Sequence, residues 1–65
     1  MKITYDITAN AVYILFKELP IADTKEDESG NINIDYAPDN TIVGIEILNA
    51  SIKISQPDTM EYYLL

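Results

Sequence analysis

The chain has 65 residues, no cysteine, no histidine and no arginine, and eleven acidic side chains stand against four lysines for a net charge of −7. These numbers exclude a disulfide and a thiolate metal site, and they remove the imidazole that most often serves as general base or transition-metal ligand. A negative field that lacks the bidentate guanidinium fork also argues against direct binding to nucleic acid.

One domain over residues 1–65 is expected, with a sheet across about 2–48 and a C-terminal helix or extension across about 50–65. A chain of this size buries only about 60% of the surface that its unfolded form exposes, which leaves its stability marginal. Small scaffolds of this kind usually need a staple. With disulfides excluded and metals disfavoured, self-association or docking onto a partner is the expected source of the missing stability. The acidic surface draws basic partners by long-range attraction, although net charge also simply keeps small proteins in solution. No segment approaches the roughly 20 apolar residues of a membrane span. The N-terminal "MKITYD" lacks a signal peptide's apolar centre, so a soluble cytoplasmic protein with no membrane partner is the expectation.

In chain order, "KITY" alternates, with Ile3 and Tyr5 on one side and Lys2 and Thr4 on the other. "DITAN" then separates it from "AVYILFK", which is the pattern of a β-hairpin. Asp6 is expected to accept from the Thr8 N–H in an Asx-turn, and Asn10 to take a left-handed conformation. "AVYILF" is apolar on both sides: Val12, Ile14 and Phe16 face one way, Ala11, Tyr13 and Leu15 the other. A strand of that kind is normally covered on both faces, so one cover is expected from within the chain and a second from another chain.

"KELPIADTKEDESGN" is the polar centre. Pro20 marks a break or a strand start. Ala22 to Asp27 reads either as a polar third strand or as an acidic loop, closed by the Ser29–Gly30 turn signal. "NINIDY" alternates again, with Ile32, Ile34 and Tyr36 inward and Asn31, Asn33 and Asp35 outward. "APDN" supplies a turn with Pro38 at its first central position, and "TIVGIEIL" returns.

In that last strand Gly44 and Glu46 sit inside an apolar run. Period two places Val43, Ile45 and Ile47 on one face and Ile42, Gly44, Glu46 and Leu48 on the other, so the two do not interrupt the core. A strand glycine admits a close neighbour, and a tyrosine ring across the hairpin is expected to cover this one. Glu46 reads as a rim charge that discourages edge-to-edge pairing. Beyond it, "NASIKIS" either extends the sheet through Ile52 and Ile54 or begins a helical turn. "SQPDTMEYYLL" has the look of a helix start, with Ser55 or Pro57–Asp58 near the first turn and Met60 and Leu64 four apart. So short a helix must dock on something to persist. Tyr62, Tyr63, Leu64 and Leu65 form an apolar ending of the sort found at contact sites.

Catalysis by carboxylates needs a pair with separated pKa values, at least one of them desolvated. Asp35 and Glu46 lie on adjacent strands with Asp39 in their turn, and turn or outward-face roles account for all three. Without histidine or cysteine no set of nucleophile, base and orienting group assembles. "DTKEDE" and "DYAPDN" do not fit a calcium loop, which needs alternating carboxylates, a central glycine and a twelfth-position glutamate. The five tyrosines lack the positive groove that accompanies base-stacking platforms, so Tyr5, Tyr13 and Tyr36 are expected in the sheet and Tyr62 and Tyr63 at an interface.

Two blocks carry a resemblance. "MKITYDITANAVYILF" and "IDYAPDNTIVGIEILNAS" are similar to the prokaryotic domain-of-unknown-function family 2283. Its pattern is met here by Lys2, Ile3, Tyr5, Asp6, Ala9, Asn10, Ala11, Tyr13 and Ile14, and then by Asp35, Tyr36, Val43–Leu48, Ala50 and Ser51. Asn10 stands where aspartate is usual, and Asn40–Thr41 where the turn often has glycine; both departures touch loops. The resemblance covers residues 1 to 51. It implies a small antiparallel sheet with a short C-terminal helix or extension, and it supplies no catalytic residues. Some family members are encoded beside a small basic RNase-like toxin and look like its antitoxin.

The expected fold is therefore mainly β, a small antiparallel meander of four or five strands with a short C-terminal helix or extension packed on one face. The expected function is that of a non-catalytic acidic protein-binding module, of the type II antitoxin kind, that docks on a basic toxin. The alternative is a self-assembling structural homo-oligomer, a homodimer in its simplest form. The contact residues expected are Tyr13, Leu15, Gly44, Glu46, Leu48, Tyr62 and Tyr63. No metal and no cofactor is expected.

Overall fold

Alternation turns into a sheet wherever turn-forming residues let the chain reverse. In the computed structural model, which describes residues 1–59 and 61, five strands form: β1 (Lys2–Asp6), β2 (Ala11–Leu15), β3 (Asp23–Glu26), β4 (Ile32–Tyr36) and β5 (Ile42–Leu48). A helical turn α1 (Ala50–Lys53) and a 3-10 turn over Pro57–Thr59 follow. The mainly β fold is as expected, and the polar segment is a strand rather than a loop. "NASIKIS" begins a helical turn instead of extending the sheet. The expected helix beyond Ser55 is met only by the 3-10 turn, and Met60, Tyr62, Tyr63, Leu64 and Leu65 lie outside the described residues.

All pairings are antiparallel, in the order β1-β2-β5-β4-β3. The strands thus do not run as one continuous meander. β3, β4 and β5 form a meander, β1 and β2 a hairpin, and β5 joins the two units by pairing with β2. The connection through Pro20 carries the chain from β2 to the opposite edge of the sheet, where Pro20 removes no ladder hydrogen bond.

Left-handed asparagines shape three of the reversals. Asn10 (φ 51°) ends the β1–β2 loop, in which Asp6 accepts from the Ala9 N–H at 3.1 Å rather than from the expected Thr8. In the β4–β5 turn the Asn40 N–H donates to the Ala37 carbonyl and Asn40 has φ 68°, a conformation that asparagine tolerates better than most residues. Asn49 (φ 52°) opens α1, and its amide donates to Asn31 Oδ1 at 3.0 Å.

Opposite Asp35 stands Gly44 and opposite Tyr36 stands Ile42, which makes Val43 an extra residue, a β-bulge. The Val43 carbonyl accepts from both the Phe16 and Lys17 N–H groups (2.8 and 3.2 Å), so the bulge holds the end of β2.

The register divides the sheet into two unlike faces. Ile3, Tyr5, Val12, Ile14, Ile45, Ile47, Ile32 and Ile34 share one of them. Val12 and Val43 are its buried centre, and Ala50 is buried at the start of α1. The C-terminal segment is tied to this side through Asn10. Its Oδ1 accepts from the Tyr5 hydroxyl (2.9 Å) and the Ser51 N–H (3.1 Å), its amide donates to Ser51 Oγ (2.9 Å), and its carbonyl accepts from the Ala50 N–H (2.9 Å).

Candidate functional site

The opposite face holds the residues that drew attention in the sequence. Tyr13 lies across from Glu46, Leu15 from Gly44 and Ala11 from Leu48, while on the other flank of β5 Asn33 faces Glu46 and Asp35 faces Gly44. Tyr13, Leu15, Gly44, Glu46 and Leu48 therefore share one surface. Tyr62 and Tyr63 lie outside the described residues.

Gly44 is the pivot of this surface. An added Cβ there would run into the Tyr13 hydroxyl and ring carbon and would lie 2.8 Å from the Ile14 carbonyl oxygen. The ring that covers the glycine comes from β2, not from across the β4–β5 hairpin. Gly44 is itself buried beneath that ring.

Having crossed β5, the Tyr13 hydroxyl donates to Asp35 Oδ2 at 2.8 Å, and Thr24 on β3 donates to Asp35 Oδ1 at 2.6 Å. Beside this relay, the Asn33 amide donates to Glu46 Oε1 at 3.1 Å, while Asn33 Oδ1 is buried without a partner. The relay ties β2, β4 and β3 together across β5, and the Asn33–Glu46 pair separately ties β4 to β5. Burial pushes the Tyr13 phenol up to about 12, reinforced by its hydrogen bond to Asp35 and by the charges of Asp35 and Glu46. A phenol held in that way stays protonated, the reverse of the tuning that a general base requires. The arrangement orders side chains across the sheet.

Both faces of β2 are thus at least partly covered: Val12 is buried, and Ala11, Tyr13, Ile14 and Leu15 are half-buried. The cover over Tyr13 is Tyr13's own contact with Gly44 and Asp35. Beyond Leu15 the covering stops. Met1, Lys2, Leu15, Phe16 and Glu18 line an open pocket of about 370 Å³, in which Phe16 is 44% exposed.

A family described as "Protein of unknown function (DUF2283)" matches residues 2–51, from the first residue of β1 to the Ser51 that Asn10 holds. The chain belongs to this family. No curated protein and no solved structure matches it. Met1 apart, both of the resembling blocks lie within the matched span, and so do Tyr13, Asp35 and Gly44. The DUF2283 span ends inside α1, so the 3-10 turn over Pro57–Thr59 falls outside it.

Two features have no local signal in the sequence. Asp35 lies on the outward face, as its alternation implies, and also accepts from two hydroxyls. Asn10 shapes its loop, as expected, and also fastens the C-terminal segment. Tyr13 and Asp35 are 22 residues apart and Asn10 and Ser51 are 41 apart, so only the strand order could have joined them. No helix among the described residues is long and apolar enough to cross a membrane.

Proposed function

We infer that this chain is a non-catalytic protein-binding module whose partner is a basic protein, an RNase-like toxin in the antitoxin reading. One observation carries the reading. Apolar side chains at the Leu15 end of the sheet stay at the surface of a domain with net charge −7. Phe16 is exposed there beside Glu18, and Leu19 and Ile21 on the connection that follows are also more than a third exposed. An apolar anchor within an acidic field suits a basic surface: the charges steer the encounter and the buried rings slow dissociation.

Co-expression with the product of the adjacent gene tests this. The expected result is a complex that weakens as salt rises and that blocks cleavage of RNA by the partner. An adjacent product that is acidic, or that shows no association at low salt, overturns the reading. A second reading, a self-assembling structural domain without catalytic activity, is favoured by the outer edge of β1, which pairs with no strand among the described residues.

A further inference from the structure

The sheet ends in two edge strands of opposite character. β3, with sequence DTKE, is exposed throughout. Antiparallel pairing with a copy of itself would set Asp23 against Glu26, like charge against like, which deters pairing. β1, with sequence KITYD, is almost as exposed, and only Tyr5 is half-buried. Its sequence reads differently against itself.

We propose that the outer edge of β1 pairs antiparallel with β1 of a second copy of this chain, with Thr4 on the two-fold axis. In that register Lys2 faces Asp6 of the second copy, Ile3 faces Tyr5, and Thr4 faces Thr4. The first two pairings repeat by symmetry, and the threonine pair lies on the axis. Opposite charges, an aromatic against a β-branched side chain, and a threonine pair are the cross-strand combinations that stabilise antiparallel sheets. The register also brings Met1 toward Ile7 at the start of the β1–β2 turn, two side chains left 68% and 76% exposed in the single chain. Sliding the copies by two residues either way separates Lys2 from Asp6. Sliding by one residue turns the apolar face of one sheet beside the polar face of the other.

The charge pattern names the occupant. A lysine on an edge strand normally repels a neighbouring strand's like charge, but here the facing residue is Asp6. The Ile3–Tyr5 face of one copy becomes continuous with that of the other, so the exposed part of Ile3 is covered. Pairing at this edge shares Met1 and Lys2 with the lining of the pocket at Leu15, but it needs neither Leu15, Phe16 nor a basic partner.

The full chain contains no cysteine, so an introduced thiol is unique. Directly opposed antiparallel residues have Cα atoms about 4.5–5.5 Å apart, within the range a disulfide spans. Under mild oxidation Thr4→Cys is expected to cross-link to a dimer at least tenfold faster than Ile52→Cys, which replaces a side chain 82% exposed and reports random collision. In sedimentation equilibrium without oxidant the unmodified chain is expected to dimerise with rising concentration, and Lys2→Glu to weaken the dimer tenfold or more. Combining Lys2→Glu with Asp6→Lys restores the facing charges and is expected to restore the dimer. A chain that stays monomeric at every concentration overturns the proposal. So does Thr4→Cys cross-linking no faster than Ile52→Cys, or Lys2→Glu dimerising as tightly as the parent. Should Asp6→Lys disturb its turn and fail to fold, the Thr4→Cys comparison decides alone. None of these measurements involves a basic partner, so failure here leaves the toxin reading standing and success does not establish it.

Discussion

Tyr13 lies over Gly44, its ring filling the place where any larger residue at 44 would put a side chain. Gly44→Ala has nowhere to go: the ring can swing away, but the Ile14 carbonyl oxygen belongs to the backbone of the neighbouring strand. Overpacking of this kind costs about 1–3 kcal/mol. Urea denaturation should show that loss in Gly44→Ala. The double variant with Tyr13→Ala should lose less than the sum of the two single changes, because removing the ring removes part of the clash.

The phenol of Tyr13 gives a pH signature. Its pKa in the folded chain is about 12 against an ordinary value of 10.0, so folding favours the protonated form. The stabilisation is complete below pH 10 and is lost as pH rises from 10 toward 12. Denaturation midpoints measured across that window should fall in the parent and fall less steeply in Tyr13→Phe. At neutral pH Tyr13→Phe should cost about 0.5–1.5 kcal/mol for the lost hydrogen bond to Asp35.

Two turn aspartates act at the other end of the scale. Asp27 is lowered by its hydrogen bond from the Ser29 hydroxyl and then by backbone N–H groups, and Asp39 is lowered by Thr41, its side chain first. Both depressed values mean that their contribution is present above the ordinary value of 3.8 and is lost as pH falls below it. In an acid titration followed by circular dichroism, Asp27→Asn and Asp39→Asn should each show a shallower loss of stability below pH 4 than the parent.

Asn10 holds the C-terminal segment by hydrogen bonds from both side-chain atoms as well as from its own carbonyl. Asn10→Ala removes the side-chain bonds and places an alanine at φ 51°. A loss of about 2 kcal/mol or more is expected, since each lost bond costs about 1 kcal/mol and the left-handed conformation costs alanine about 1–2 more. Hydrogen exchange should locate the effect, with the amides of Ala50 and Ser51 losing protection before those of β5. Asn10→Asp keeps an acceptor for Tyr5 and Ser51 and should lose much less.

Local pattern was enough to read β1, β2, β4 and β5, because each alternates and each is bounded by turn residues. The same period grouped Gly44, Glu46 and Leu48 on one side of β5, but it also put Ile42 there, and the bulge at Val43 instead sets Ile42 opposite Tyr36. "ADTKED" was undecidable from the sequence alone, since a polar edge strand and a polar loop have the same composition; what settles it is pairing with β4, which local sequence does not encode. The pairing of β2 with β5 was hidden for a related reason. Nothing in "AVYIL" specifies whether its second neighbour is the next strand or the last, and the identity of the ring over Gly44 depended on that choice. The C-terminal turn was ambiguous because Asn49 starts it in a left-handed conformation, without a side-chain cap to announce a helix.

The strand order has a consequence for biosynthesis. β5 is the middle of the sheet and, among the described residues, the last strand to be made, so neither the N-terminal hairpin nor the β3–β4 hairpin has its permanent neighbour until residue 48 has left the ribosome. A two-stranded hairpin is marginal alone, so neither half of the sheet is secure before that point. The sheet is completed when β5 emerges rather than strand by strand along the way.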